Sequence, residues 1–170
     1  MSTPSILVAG IGNIFLGDDG FGCEVLQHLS RRAWPDNVRV FDFGIRGFDL
    51  AYALLEGVEL TLFVDTTSRG EAPGTLYTIE VDVSEPAAFE SNATSIETHG
   101  MDPLKVLNMV KSMGGKLNQI VLIGCEPETF GPEEGLMGLS EPVAAAVPRA
   151  VSIVENLIAR QLEKSIEKVA

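Results

Sequence analysis

Ser5-Ile6-Leu7-Val8-Ala9-Gly10-Ile11-Gly12-Asn13-Ile14-Phe15-Leu16-Gly17-Asp18-Asp19-Gly20-Phe21-Gly22 holds three structural instructions in order. The short apolar run from Ser5 to Ala9, stopped by Gly10, predicts a buried strand. The glycine-rich stretch predicts a tight loop. Asp18 to Arg32 then predicts a helix, with Phe21, Val25, Leu26 and Leu29 on one face. The same alternation continues downstream. Val38–Asp42 is a strand, Phe48–Leu55 a short helix and Leu60–Asp65 a fully buried strand. Thr75–Val81 alternates as an edge strand does. Asp102-Pro103 supplies an N-cap and a proline at the first helical position, opening a helix to about Met113. Gln119–Gly124 is a further buried strand. The C-terminal helix carries Val147, Val151, Val154, Ile158 and Leu162 on one stripe. Either Ser140 with Pro142 or Pro148 marks its start.

Strands alternating with helices predict an α/β fold. The expected form is a single-domain, three-layer αβα arrangement over residues 1–170, with a mostly parallel sheet and helices on both faces. The strands near 5–10, 38–42, 60–65 and 119–124 should be parallel neighbours. The long irregular stretch from Cys125 to Ser140 is of a length that is often functional. Residues 163–170 are expected to fray.

The composition narrows the function classes. The chain has 170 residues, 45% of them apolar and 21% charged, which fits a globular domain with a real core. Twelve basic against 24 acidic residues give a net charge of -12, which disfavours phosphate backbones and anionic lipid. A protein or peptide, a small molecule or a metal cation suits that charge better. No apolar run approaches the ~18 residues of a membrane span, so no membrane insertion is expected. Met1-Ser2-Thr3-Pro4 lacks the basic and apolar regions of a signal peptide. Cys23 and Cys125 lack metal-finger spacing and read as reduced thiols of a cytoplasmic protein.

The glycine loop does not fit phosphate. Phe15 stands where a dinucleotide fingerprint needs its third glycine. Gly12 and Gly17 have the spacing of a phosphate loop, but Asp18 and Asp19 follow, which is electrostatically wrong for an anion. Either aspartate could complement a helix N-terminus, worth ~0.3–1 kcal/mol. One suffices for that, which leaves the other free at the carboxyl edge of the sheet, where doubly wound folds bind ligands. Asp65, directly after a buried strand, reaches the same rim or serves as a turn residue. His99 lies in the loop entering a helix on that side, whereas His28, within the first helix, reads as structural. Asp19, Asp65 and His99 offer two oxygens and a nitrogen, a set suited to nickel, zinc or iron, with a coordination position left open.

These residues resemble the opening signature of the hydrogenase maturation endopeptidases, Gly10-x-Gly12-Asn13-x-x-x-Gly17-Asp18-Asp19-Gly20-x-Gly22. Asp42 with Gly44 and Gly47, then Asp65, His99, Gly124-Cys125-Glu126-Pro127 and Leu139-Ser140-x-x-Val143 follow in the family's order, over about Ile6 to Leu157. The resemblance implies an aspartyl-type endopeptidase that removes a short C-terminal tail from the nickel-loaded large-subunit precursor of nickel-iron hydrogenase. It implies metal contact at Asp19, Asp65 and His99, and a substrate-binding region at Asp42, Gly44 and Gly47. Asp42 either orients substrate or ends the second strand. Ile45-Arg46-Gly47-Phe48-Asp49 departs from the Gly-Thr-rich loop common in members, and Glu126 stands where many members carry Gln.

No serine, threonine or cysteine nucleophile constellation is evident. Either the protein holds its own divalent ion, such as zinc, and activates water, or the nickel belongs to the precursor and the Asp/Asp/His set samples it. The family's dependence on inserted nickel favours the second. The residues do not spell out the cleaving step; carboxylate-assisted attack of water by Asp19 or Asp65 is one route open to it, and the enzyme is expected to be a monomer. The competing readings are a non-catalytic nickel-binding assembly chaperone and a nucleotide-binding doubly wound protein.

Overall fold

In the computed structural model, which describes residues 5–84 and 101–169, the apolar runs form one five-stranded sheet of order β2-β1-β3-β5-β4. Its strands are β1 (Ile6–Ile11), β2 (Val38–Gly44), β3 (Leu60–Thr66), β4 (Leu76–Val81) and β5 (Gln119–Cys125). β1, β2, β3 and β5 are parallel neighbours; β1, β3 and β5 are apolar almost throughout, as buried parallel strands are, while β2 at the edge alternates. The edge strand β4 runs antiparallel to β5.

The helices are α1 (Phe21–Ser30), α2 (Gly47–Leu55), α3 (Pro103–Ser112) and α4 (Glu141–Val169). Alternate strand residues feed two cores. Val8, Leu62, Val64 and Ile123 pack with Phe21, Leu26 and Leu29 of α1 and with Val147, Val151 and Val154 of α4. Leu7, Ala9, Phe63 and Leu122 pack with Leu50 and Leu54 of α2 and with Val106 and Leu107 of α3. The three layers predicted from the pattern are therefore present. Asp102 caps α3 as expected, accepting from the Leu104 N–H at 3.0 Å, with Pro103 at the first helical position.

Several boundaries differ. The segment expected to be the first turn of α1 is a 3-10 turn, Gly17–Gly20. β2 does not end at Asp42. Its register against β1 slips there, pairing Gly10 with Asp42 and Ile11 with Gly44, so Phe43 is the extra residue of a bulge. α4 starts at the Ser140–Pro142 signal, and Pro148 lies inside it. Residues 163–169, expected to fray, are helical. Leu162 packs on the core and the Ser165 hydroxyl donates to the Gln161 carbonyl at 3.0 Å, so the periodic sequence carries the helix on. α4 is also long and apolar enough, by length and composition, to cross a membrane. Its Val143, Val147, Val151, Val154 and Ile158 stripe is buried in the first core, as in the central helix of a globular domain.

Two glycines make the opening loop fit. A Cβ on Gly22 would lie 2.2 Å from the Val64 carbonyl oxygen and 2.4 Å from that of Ile11, so α1 can lie this close to β1 and β3 only with no side chain there. Gly12 has φ of 141°, and a Cβ on it would lie 1.8 Å from the Asp19 carbonyl oxygen. Gly22→Ala should therefore destabilise the fold by about 3 kcal/mol or more, because rigid backbone stands in the way. Gly57→Ala, where φ is 83° and nothing lies within 4 Å, should cost about 1–2 kcal/mol of backbone strain alone. Urea unfolding of the two variants checks the order.

Candidate active site

The strand order reverses between β1 and β3. The chain goes outward from β1 to β2, then crosses back over β1 to β3. In open α/β sheets the carboxyl ends of two such strands frame a ligand crevice. The loop after β1 carries Asp19, and the end of β3 carries Asp65. Topology thus brings together two acids 46 positions apart in a sequence where neither looks special alone.

The adjacent aspartates have opposite fates. Asp18 is fully buried. Its Oδ2 accepts from the backbone N–H of Glu128 at 2.8 Å and of Thr129 at 3.0 Å, and from the Ser140 hydroxyl at 2.9 Å. Its Oδ1 accepts from the Ser140 N–H at 2.7 Å. Neither aspartate caps a helix through its side chain: the residue preceding α1 is Gly20. Asp18 instead clamps both ends of the long β5–α4 loop. That loop also pairs with the β1–α1 loop through Gly17 N–H to Leu136 O at 2.7 Å and Leu136 N–H to Phe15 O at 2.8 Å. Successive residues of a 3-10 turn point in different directions, so Asp19 faces the sheet edge.

The sequence leaves one of the two aspartates free at the sheet edge, yet Asp19 there is only 9% exposed. The chain folds over it. Its Oδ2 accepts from the Asn13 N–H at 2.8 Å, and its Oδ1 lies 3.5 Å from the Thr66 hydroxyl. Burial raises the Asp19 pKa, with these hydrogen bonds opposing the rise. Asp65 accepts from the Thr66 N–H at 2.8 Å. Burial first, and then the charge of Asp19, push its carboxyl well above the usual carboxylate range. Two neighbouring acids raised in this way favour a state in which one keeps a proton.

Asp42 joins them at the bulge of β2, where its Oδ1 accepts from the Gly44 N–H at 2.9 Å. The negative charges of Asp42, Asp19 and Asp65 all bear on the buried Cys23 thiol and add to the effect of its burial, which pushes its pKa up. That thiol points to the Gly12 carbonyl at 3.5 Å. Burial likewise pushes Cys125 up to about 12. Both cysteines are free and buried, and as protonated thiols they are poor nucleophiles. Gly44 accepts from the Gly12 N–H at 3.0 Å, and Gly47 opens α2, so the expected substrate region flanks the carboxylates.

His99 lies outside the described residues. Among the described residues no group of three His, Cys, Asp or Glu side chains is arranged to hold a metal ion. Asp19 and Asp65 are the two carboxylates of the expected set that lie among the described residues. His28, read as structural without an acidic neighbour, is exposed on α1 with Nε2 3.7 Å from Glu24 Oε1, one turn away.

Sequence reasoning missed two anchors. One is Asp18, whose partners lie more than a hundred residues away. The other is Glu126, whose carboxylate accepts from the Arg69 N–H at 2.8 Å, the Gly70 N–H at 3.2 Å and the Tyr77 hydroxyl at 2.6 Å. Glu126 thereby fixes the loop between β3 and β4. A Gln there would turn an amide group toward donors, which gives the Glu a physical reason. The only sequence signal for either was an acid directly beside an apolar strand or glycine turn.

Two measurements separate these roles. Asp18→Ala leaves buried donors unpaired and should cost about 3–5 kcal/mol in urea unfolding, while Asp19→Asn should cost far less. Asp65 is raised in the folded state, so its ionisation opposes folding above that raised pKa, and the penalty fades as pH falls through it. Asp65→Asn should therefore melt a few degrees higher than wild type at pH 8, and the gap should close as pH is lowered toward the ordinary carboxylate range.

Comparison with known proteins gives the family. The family model described as hydrogenase maturation protease matches residues 23–157. A hydrogenase expression/formation protein, HoxM of Azotobacter vinelandii, is 32% identical over 162 residues, 95% of this chain and 75% of its own. The solved hydrogenase maturating endopeptidase HybD of Escherichia coli superposes with a TM-score of 0.76 at 29% identity, covering 92% of this chain and 93% of its own. The hydrogenase 2 maturation peptidase of a Thaumarchaeota archaeon gives 0.67 at 31% identity, covering 91% and 97%. With its carboxylates gathered where the strand order reverses, and with a match of this extent, the chain belongs to the hydrogenase maturation protease family and is a peptidase.

Proposed function

We propose that this peptidase removes a C-terminal tail from the large-subunit precursor of a nickel-iron hydrogenase, using Asp19 and Asp65 as an aspartyl-type pair. The observation that carries this reading is the convergence of the buried Asp19 carboxylate, held by Asn13 and Thr66, with Asp65 at the same sheet edge beside the buried Cys23 thiol, in a member of this family. A carboxylate pair that shares a proton holds both a base and an acid at working pH. The ionised partner takes a proton from a water molecule as its oxygen attacks the scissile carbonyl carbon. The protonated partner then gives its proton to the leaving nitrogen as the C–N bond breaks. The cleaved tail leaves with a free amine and the subunit keeps a new carboxyl end.

Nickel enters this reading as cargo of the precursor. Asp19 and Asp65, with His99, are the residues proposed to sample it, and the acidic rim formed with Asp42 favours a cation there. The enzyme acts as a cytoplasmic monomer. A non-catalytic nickel chaperone would use the same acids but leave the precursor's length unchanged.

The test is cleavage of purified large-subunit precursor, with and without nickel, followed by mass spectrometry of the subunit. Shortening is expected only for nickel-loaded precursor. Asp19→Asn and Asp65→Asn should slow it by about 100-fold or more, the scale of a lost acid or base. His99→Ala should also fail on nickel-loaded precursor. Cys125→Ala should cleave within about twofold of wild type, since a thiol this reluctant to ionise contributes no nucleophile. Wild-type rates in both aspartate variants would remove the carboxylate mechanism. Loss of cleavage in folded Cys125→Ala would make the enzyme a thiol protease.

A further inference from the structure

On the α1–α4 face, beside the catalytic edge, lies an open groove of about 440 Å3. Ile14 of the β1–α1 loop, Met137 and Leu139 of the β5–α4 loop and Val147 of α4 form its apolar wall, and Glu24 and His28 of α1 form its polar wall. Gly17 and Gly20, the two ends of the 3-10 turn that carries Asp19, also line it. The groove therefore shares a rigid piece of backbone with the catalytic acid.

Its apolar side is unusually open. Met137 is 66% exposed and Ile14 is 42% exposed, and Phe15, 58% exposed, extends the patch along the same loop. Yet the loops that present them are not slack: Asp18 and the Gly17–Leu136 pairing hold them in place. The methionine side chain on this fixed backbone is itself flexible and can adapt to an apolar partner. Glu24 on the groove's wall lies 3.7 Å from His28, and Arg32, just past the end of α1, is paired with Glu155 of α4. Among the described residues no Lys or Arg lines the groove itself. Glu24 stands on its wall, and Glu128, Glu133 and Glu134 are exposed on the loop that supplies Met137.

We propose that this groove docks a segment of the precursor that combines apolar side chains with Lys or Arg, apart from the tail that is cut. The inference rests on the endopeptidase reading above and adds to it where the partner is held. Glu24 and the exposed glutamates of the β5–α4 loop favour a basic segment and speed its encounter, while Met137 and Ile14 supply the apolar contact. A second copy of this chain is the wrong occupant, because it would bring a net charge of -12 against its equal and the same acids against each other.

The test measures the affinity of full-length enzyme for purified nickel-loaded precursor by surface plasmon resonance. All proteins carry Asp19→Asn so that the complex is not turned over, and cleavage is scored separately without that change. Met137→Glu and Glu24→Lys alter exposed side chains and should leave the fold intact. Each should weaken binding about tenfold or more, and Glu24→Lys should also flatten its dependence on salt. Tyr52→Glu, on the exposed face of α2, should bind as the parent does. Unchanged affinity in Met137→Glu overturns the proposal. So does a loss confined to Tyr52→Glu, which would move docking to α2, or a change in oligomeric state of Met137→Glu by sedimentation, which would make the groove a self-interface. Precursor that binds the Asp19→Asn parent but is not cut by enzyme with Asp19 intact sinks the endopeptidase reading alone, and the groove is still judged by the affinities. Precursor that binds neither the parent nor the wild-type enzyme overturns both.

Discussion

The carboxylate of Asp18 collects four hydrogen bonds from Glu128, Thr129 and Ser140 in the interior of the protein. A buried charge is tolerable only when its acceptor sites are filled, and here the filling is done by the two ends of a loop that has almost no regular structure. The loop between β5 and α4 is thereby set against the loop between β1 and α1. The same clamp fixes the 3-10 turn that aims Asp19 at the sheet edge, the start of α4 at Glu141 and the exposed side chains around the neighbouring groove.

The site is assembled against electrostatic preference. Asp19, Asp42 and Asp65 gather around a buried thiol in a chain that already carries a net charge of -12. Burial raises both the Asp19 and Asp65 carboxyls, and the charge of Asp19 raises Asp65 further; the fold bears that cost because packing elsewhere is extensive on both faces of the sheet. A raised carboxyl is the property an acid–base carboxylate pair requires. The same field keeps Cys23 protonated and unreactive. Site chemistry and local instability are thus two readings of one arrangement.

Close backbone approach supplies the remaining constraint. Gly22 lets α1 lie against the ends of β1 and β3, and Gly12 lets the loop turn back over Asp19. The glycines of the opening motif, which fail as a phosphate-binding pattern, have their reason in packing. They bring the helix and loop near enough for an acid after β1 to feel an acid after β3.

The layer order and the parallel core were legible in the residues, because a strand buried on both faces has to be apolar throughout and a helix on a sheet has to carry a stripe. Asp102-Pro103 and the run Gln119–Gly124 needed no tertiary information to be placed. Asp19 and Asp65 were legible as rim residues, since each directly follows or faces the carboxyl end of a strand. The division of labour between Asp18 and Asp19 was not. The two are the same residue type in adjacent positions, and only the arrival of Glu128, Thr129 and Ser140 from far along the chain distinguishes them. The bulge at Asp42, the anchoring by Glu126 and the helical course of residues 163–169 likewise depend on partners distant in sequence or on packing against the core. Local periodicity reports which side of an element is buried. It carries no record of which distant donor will meet a given carboxylate, because that meeting exists only once the loops have closed around it.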